Sequence, residues 1–225
     1  MTQIFPLIKE ILQKGIFKSY IPLSYNNVAC GKIDKCVYTL LDVGCGNGHP
    51  MRAIRRHKRC FTIGVDLFLP NIRKCKTAKL HDGYVFCDAR FLPFKEKWFD
   101  GVICFEVVEH MPKKNGVEFV KNVEKLARSQ VVIGTPVAYS PGGHDEENPF
   151  DLHQSRWSPT EFNKMKYEVR GVNGSARVSE ILSRISFHVA RTYLGVIVPY
   201  FSEPFVYFFP NFAWGMIATK KIPRP

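Results

Sequence analysis

The sequence has no C-x-x-C pair. Its seven cysteines, at 30, 36, 45, 60, 75, 87 and 104, show no metal-ligand spacing either, which argues against a cysteine-built metal centre. Cys36, Cys60, Cys87 and Cys104 fall in or beside apolar runs, where cysteine acts as a small hydrophobe. A reduced, cytoplasmic protein is therefore expected rather than a disulfide framework, and no signal pattern precedes the first lysines. Acidic residues are also scarce, with 20 Asp and Glu against 32 Lys and Arg and a formal charge of +12. Nor is there an uninterrupted apolar span. The stretch 192–219 carries one charge, Glu203, but Pro199, Pro204 and Pro210 break it, which disfavours a transmembrane helix. A core hairpin with an apolar pocket wall is expected there. An interfacial loop that dips toward lipid or binds a greasy substrate is the alternative.

What is present centres on Leu40-Leu41-Asp42-Val43-Gly44-Cys45-Gly46-Asn47-Gly48-His49. The apolar run 37–43 predicts a buried strand, and it breaks into glycines at 44, 46 and 48, residues that permit positive φ and a close ligand. A strand that turns this way into a helix is how α/β folds build a nucleotide pocket. The dehydrogenase fingerprint G-x-G-x-x-G needs glycine or alanine at 49, where His49 stands.

The rest of the chain supports an α/β reading. Helices are predicted at 50–57, 70–80 and 115–127, and strands at 61–65, 84–87, 98–105 and 130–134. A mostly parallel sheet follows. Farther on, the pattern predicts a helix near 159–165, a strand near 167–172, a helical stretch at 176–190 and a last strand at 214–219. An amphipathic helix at 4–16 is expected to act as a lid or to pack on a sheet edge. Residues 19–36 read as a connector with turn chemistry at Asn26-Asn27. The long turn-rich stretch 137–159 belongs above a pocket. At 225 residues the chain is one globular unit, with lid helix and connector over 1–36 and the main domain over 37–225. Its acceptor-side loop and cap would lie at about 137–166 and 176–212.

Three successive strands end in acids: Asp66, Asp88 and Glu106. In an open parallel sheet the ligand sits at these carboxyl ends. Asp66 lies near the spacing at which a carboxylate takes both ribose hydroxyls, and Asp88, followed by Ala89, is placed to accept from an adenine amine. Any one of them could instead cap a helix. Together, residues 42–48, 64–66, 86–89 and 99–110 resemble the successive motifs of class I S-adenosylmethionine-dependent methyltransferases. That resemblance implies a Rossmann-like, seven-stranded sheet in the order 3-2-1-4-5-7-6. It implies that Asp42 and the Gly44-Cys45-Gly46 backbone hold the methionyl part of the cofactor. Asp66 with Leu67 would hold the ribose, Asp88 with Ala89 the adenine, and Phe105 with Glu106 would line the sulfonium side.

Glu106-Val107-Val108-Glu109-His110 is similar to the E-x-x-E-H element of ubiquinone-pathway O-methyltransferases and small-RNA 2′-O-methyltransferases. In some of these the carboxylates and histidine bind a divalent metal with a later histidine, and His153 occupies a similar place here. Ligands of this kind would orient an acceptor hydroxyl and lower its pKa. The plainer and favoured reading has the glutamates cap and the histidine pack, with His110 or His153 as a candidate base. No N/D-P-P-Y follows the fourth strand and no Pro-Cys pair occurs, which disfavours amino and cytosine-C5 methylation. The leading expectation is an O-directed methyltransferase acting on a small-molecule, glycan or lipid-linked acceptor. Peripheral membrane contact is compatible with it.

The basic stripe 52–79 contains Arg52, Arg55, Arg56, Lys58, Arg59, Arg73, Lys74, Lys76 and Lys79. It could hold nucleic acid, which supports RNA 2′-O-methylation as the second reading. No aromatic residue lies within either of its basic clusters, 52–59 and 73–79, so a solvated helix face is the simpler account. A third reading is a non-catalytic partner of another methyltransferase.

Overall fold

The computed structural model describes residues 23–137, 148–176 and 201–223. Seven strands form one sheet: β1 Thr39–Val43, β2 Phe61–Asp66, β3 Gly83–Phe86, β4 Phe99–Phe105, β5 Ala127–Pro136, β6 Glu168–Ser175 and β7 Ala213–Lys221. Their order is 3-2-1-4-5-7-6, as expected. β1 to β5 pair in parallel, and β7 runs antiparallel to both β5 and β6.

Side-chain alternation explains how the central strands are covered on both faces. Leu41, Val43, Val102, Cys104, Val131 and Ile133 pack into one core with Phe119, Val123, Trp157 and Phe162. Those partners come mainly from the helices Lys113–Leu126 and Pro159–Lys164. Leu40, Ile103, Phe105 and Val132 point the other way, onto Ile33, Met51, Ile54 and Cys75. Their cover includes the helices Tyr25–Lys32, His49–His57 and Leu69–Thr77. A strand with neighbours on both faces reads as a continuous apolar run, which is why 37–43 and 99–105 stand out in the sequence.

Two expectations need correction. The segment 19–36 is not simply a connector, because Tyr25–Lys32 is helical, with Val28, Ala29 and Cys30 buried. Asn26-Asn27 is poor helix sequence, and burial of the following apolar residues outweighs it. No hairpin is seen within 201–212: residues 201–208 are helical and lead through the 3₁₀ turn Pro210–Phe212 into β7. The expected helix at 4–16 lies outside the described residues. So do most of the stretch expected at 176–190 and the loop portion 138–147.

The described part of the long loop folds back on the strand ends. The backbone N–H groups of Gln154 and Ser155 both donate to the Glu109 carbonyl, at 2.8 and 3.0 Å. Gln154 Nε2 donates to the His110 carbonyl at 2.7 Å. Trp157 is buried, with the Lys113 ammonium 3.6 Å from its ring centroid. These bonds carry His153, distant in sequence, onto the turn after β4.

Candidate functional site

At the carboxyl ends of β1 to β4 lies a cavity of 680 Å³, within the usual size of a small-ligand site. All ten residues read from the sequence as cofactor contacts line it: Asp42, Gly44, Cys45, Gly46, Asp66, Leu67, Asp88, Ala89, Phe105 and Glu106. The turn after β1 explains its own composition. Gly44 and Gly48 have φ of 69° and 76°, where a side chain is strained. A Cβ on Gly44 would also lie 2.3 Å from Val107 Cγ2, and one on Gly48 2.1 Å from Leu80 Cδ1. Gly46, at φ 52°, differs in having open space: a Cβ there would meet nothing nearer than 3.9 Å.

Asp66 holds the turn in place. One carboxylate oxygen accepts from Gly46 N at 2.8 Å and the other from Phe68 N at 2.7 Å. Burial raises its pKa, and the two backbone donors work against that rise. Asp88, at the next strand end, is already clasped by Arg90. Nε lies 3.0 Å from each carboxylate oxygen and Nη2 2.5 Å from Oδ2. That ion pair lowers the Asp88 pKa and puts a cation on the cavity wall where the sequence suggests a bare acceptor.

Asp42 is buried and is also taken by a partner that sequence reading misses, because His81 Nε2 lies 2.8 Å from its Oδ2. The imidazole fits because β2 has glycine at 64, where a Cβ would stand 3.0 Å from the ring. Burial disfavours a charged His81, yet Asp42 and Cys75 outweigh it and lift the ring to about 9. His81→Leu would leave the Asp42 carboxylate buried without its donor. Denaturant unfolding of that variant should show a loss of about 3 kcal/mol, near the lower end for breaking a buried pair. A loss below about 1 kcal/mol would mean the pair does not hold this floor together.

The opposite wall is built on the turn after β4. Glu106 sits at φ 55°, unusual for a residue with a side chain and common at functional turns. Its carboxylate accepts from Tyr25 Oη at 3.1 Å. Tyr25 lines the cavity and makes an edge contact with Phe105, so the helix Tyr25–Lys32 contributes to the site. Gly134 in β5 leaves the room for it: a Cβ there would lie 2.1 Å from Tyr25 Oη.

Glu109 is buried, and its Oε2 accepts from Thr135 Oγ1 at 2.9 Å. Its Oε1 has no hydrogen-bond partner. Burial, then the Glu106 carboxylate within hydrogen-bonding reach, push the Glu109 pKa well up. Burial also raises Glu106; its side chain is open to the concave cavity, but protein surrounds it. Two facing carboxyls need a shared proton or a cation between them.

His110 and His153 do meet, with ring centroids 4.9 Å apart, and His110 lines the cavity. His110 Nδ1 lies 3.3 Å from the Leu152 carbonyl. That contact places the proton on Nδ1 and leaves Nε2 as the acceptor in the neutral ring. Burial, then His153, lower the His110 pKa, which favours this neutral form. Glu109, His110 and His153 each offer an atom such that all three lie within 4.8 Å of one another. Together with the orphaned Glu109 Oε1, this donor set fits a divalent cation. The structure thus brings together the E-x-x-E-H residues and a histidine more than forty positions away.

Residues 41–133 match a family model described as a methyltransferase domain. Among curated proteins, the chain is 39% identical over 83 residues to 24-methylenesterol C-methyltransferase 2 of Arabidopsis thaliana, covering 33% of this chain and 22% of that one. It is 33% identical over 89 residues to the tRNA (carboxymethyluridine(34)-5-O)-methyltransferase of the same plant, covering 40% and 20%. The chain therefore spans about a fifth of the length of these relatives. One solved structure similar to it is the complex between the Haloferax volcanii Trm112 methyltransferase activator and a methyltransferase. The match has a TM-score of 0.62 at 14% identity and covers 96% of this chain and 94% of that one. At that identity the likeness is one of fold. Taken with the sheet order and the glycine turn, these matches identify residues 41–133 as a class I S-adenosylmethionine-dependent methyltransferase domain.

Proposed function

We propose that the protein transfers a methyl group to a hydroxyl of a small-molecule, glycan or lipid-linked acceptor. The observation that carries this reading is the convergence of Glu109, His110 and His153 beside the cavity lined by the glycine turn and Asp66. A wall of carboxylate and imidazole suits a nucleophile that must be oriented and must lose a proton.

S-adenosylmethionine, when bound, supplies a methyl group on a positively charged sulfur. The protein's part is alignment and proton handling. The Gly44–Gly46 backbone and Asp42 take the methionyl end, and Asp66 accepts from the ribose hydroxyls. Asp88, steadied by Arg90, faces the adenine. His110 Nε2 accepts the proton of the acceptor hydroxyl, and Glu106 with Tyr25 fixes the turn that carries His110. If a divalent cation binds, Glu109, His110 and His153 would hold it, His110 would then be a ligand in place of the base, and the ion would supply Lewis-acid polarisation of the acceptor oxygen.

The sterol relative supports an apolar or lipid-linked acceptor, although that enzyme is named for methylation at carbon. RNA is the second reading. It rests on the tRNA relative and on the exposed Arg52, Arg56, Arg73, Lys74 and Lys76 along two helices.

A labelled-methyl assay separates these readings. With S-adenosylmethionine carrying a radioactive methyl and an extract of the source cells, label should enter the organic or saccharide fraction, in a form stable to alkali as an ether is. Label that nuclease treatment releases would overturn this reading in favour of RNA. Chelator should abolish incorporation and added Mn²⁺ or Mg²⁺ restore it if the cluster holds metal; incorporation unchanged by chelator excludes that role.

A further inference from the structure

Two cysteines meet beneath the glycine turn. Cys45 belongs to the turn itself, is buried and lines the cavity. Cys75 comes from the helix Leu69–Thr77 and is also buried. Its Sγ lies 3.2 Å from the Gly46 carbonyl oxygen and 4.0 Å from that of Cys45. A Cβ on Gly48 would stand 3.0 Å from the same sulfur. The sulfur is therefore seated inside the turn, and the two side-chain sulfurs are within hydrogen-bonding reach of each other. Neither is in a disulfide.

His81 adds a second group aimed at this pair. Asp42 takes its Nε2 at 2.8 Å, while its Nδ1 is buried with no aligned hydrogen-bond partner. Cys75 is within reach of the ring and helps to hold it charged. Hydrogen bonding with Cys45 lowers the Cys75 pKa to about 6, and His81 lowers it further against the cost of burial. The same hydrogen bond, then burial, keep the proton on Cys45. By contrast, burial pushes the thiols of Cys30, Cys60, Cys87 and Cys104 up, as suits cysteines that only fill space. A thiolate beside a thiol and a cation is the arrangement in which sulfur chemistry is fast.

Joining the two sulfurs would disturb the cradle. An S–S bond is about 2 Å long, much shorter than a hydrogen-bonded sulfur contact, so Cys45 would be drawn toward the helix Leu69–Thr77. The turn has little slack. Gly44 and Gly48 stand too close to Val107 and Leu80 for even a Cβ, and Gly46 N is tied to Asp66 at 2.8 Å.

We propose that Cys45 and Cys75 form an oxidisable dithiol site under the cofactor, and that peroxide closes it to a disulfide that distorts the Gly44–Gly46 turn and blocks S-adenosylmethionine binding. One sulfur attacks the peroxide: an S–O bond forms, the O–O bond breaks and one oxygen leaves as water. The other sulfur attacks the resulting sulfenic acid, forming the S–S bond as the second oxygen leaves as water. Two thiols thus lose two electrons and two protons, and one peroxide becomes two waters. Cys45 lies on the cavity wall, so the empty cavity is the entry path and a bound cofactor shields the pair.

The inference rests on the reading that this turn holds S-adenosylmethionine, and the two are scored apart. Hydrogen peroxide is added to the reduced full chain and removed, and the protein is digested without reductant. A peptide pair joined through Cys45 and Cys75, lighter by two hydrogens than its parts, is expected by mass spectrometry. Calorimetric affinity for S-adenosylmethionine should fall about tenfold or more. Dithiothreitol should restore it, which separates a disulfide from sulfinic acid or methionine oxidation. Cys75→Ser removes the sulfur with little change of volume, and its affinity should change by less than about threefold on peroxide treatment. A measurement without any variant supports these: saturating S-adenosylmethionine should slow the crosslink in wild type.

Absence of the crosslink in wild type overturns the proposal, as does a crosslink that leaves affinity unchanged or forms equally fast under saturating cofactor. Equal loss of affinity in Cys75→Ser and wild type overturns it too. Reduced wild type that fails to bind the cofactor would overturn the cofactor reading and the blocking of binding with it, while the dithiol site stands or falls on the crosslink alone.

Discussion

Asp66→Ala is expected to weaken S-adenosylmethionine binding by about a hundredfold or more in calorimetry. The carboxylate does two things at once. It ties the Gly46 and Phe68 amides at 2.8 and 2.7 Å, which sets the shape of the turn, and it faces the cavity where a ribose would lie. Hydrogen bonds to a charged group contribute about 1.5–3 kcal/mol each. Losing two such bonds to the sugar gives roughly 3–6 kcal/mol, or a factor of about 10² to 10⁴ in affinity. Asp66→Asn keeps one acceptor oxygen and should fall between the variant and wild type. Because burial raises the Asp66 pKa, the comparison belongs at neutral pH or above, where the carboxylate is ionised. An Asp66→Ala affinity within about threefold of wild type would remove Asp66 from the binding site altogether.

His110→Ala should separate catalysis from binding. Turnover should fall by about 10² to 10⁴, the usual contribution of a positioned general base, while cofactor affinity changes less than about threefold. The pH profile carries the finer test. A base acts in its neutral form, and burial with His153 lowers the His110 pKa. Activity should therefore rise with pH through an acid limb below the ordinary histidine range and stay high at neutral pH. That limb should vanish in the residual activity of His110→Ala. If turnover is lost together with cofactor affinity, the residue shapes the pocket and is no base. If the limb persists unchanged, the titrating group lies elsewhere.

Much of this site can be read locally. A glycine turn after an apolar strand, and acids at the ends of the next three strands, are short-range signals, because a strand delivers its last residue to the sheet edge whatever happens elsewhere. For that reason Asp42, Asp66, Asp88 and Glu106 belong to one rim on sequence alone, and all four line the cavity. The partners are not legible. His81 stands 39 positions from Asp42 and Tyr25 81 from Glu106, and nothing in the intervening pattern couples them. Arg90 is close to Asp88 in sequence, yet whether an arginine two residues on turns back or points to water is a rotamer choice. The two misread segments fail for one reason. At Asn26-Asn27, and around Pro204 and Pro210, turn chemistry looks decisive where packing against the sheet outweighs it.

What the sequence determined by itself was the alternation of strands and helices and the rim of the pocket, since periodicity of burial and strand-end residues are properties of neighbours along the chain. The strand order followed only from the resemblance to class I methyltransferases. What only the tertiary structure decided was which charges face each other and which apolar residues are left outside. Those are properties of groups that meet through space. Phe205, Phe208 and Phe209 are the sharpest case. Their composition alone reads as core, and it is the close seat of Val206 over Gly171 that turns them outward.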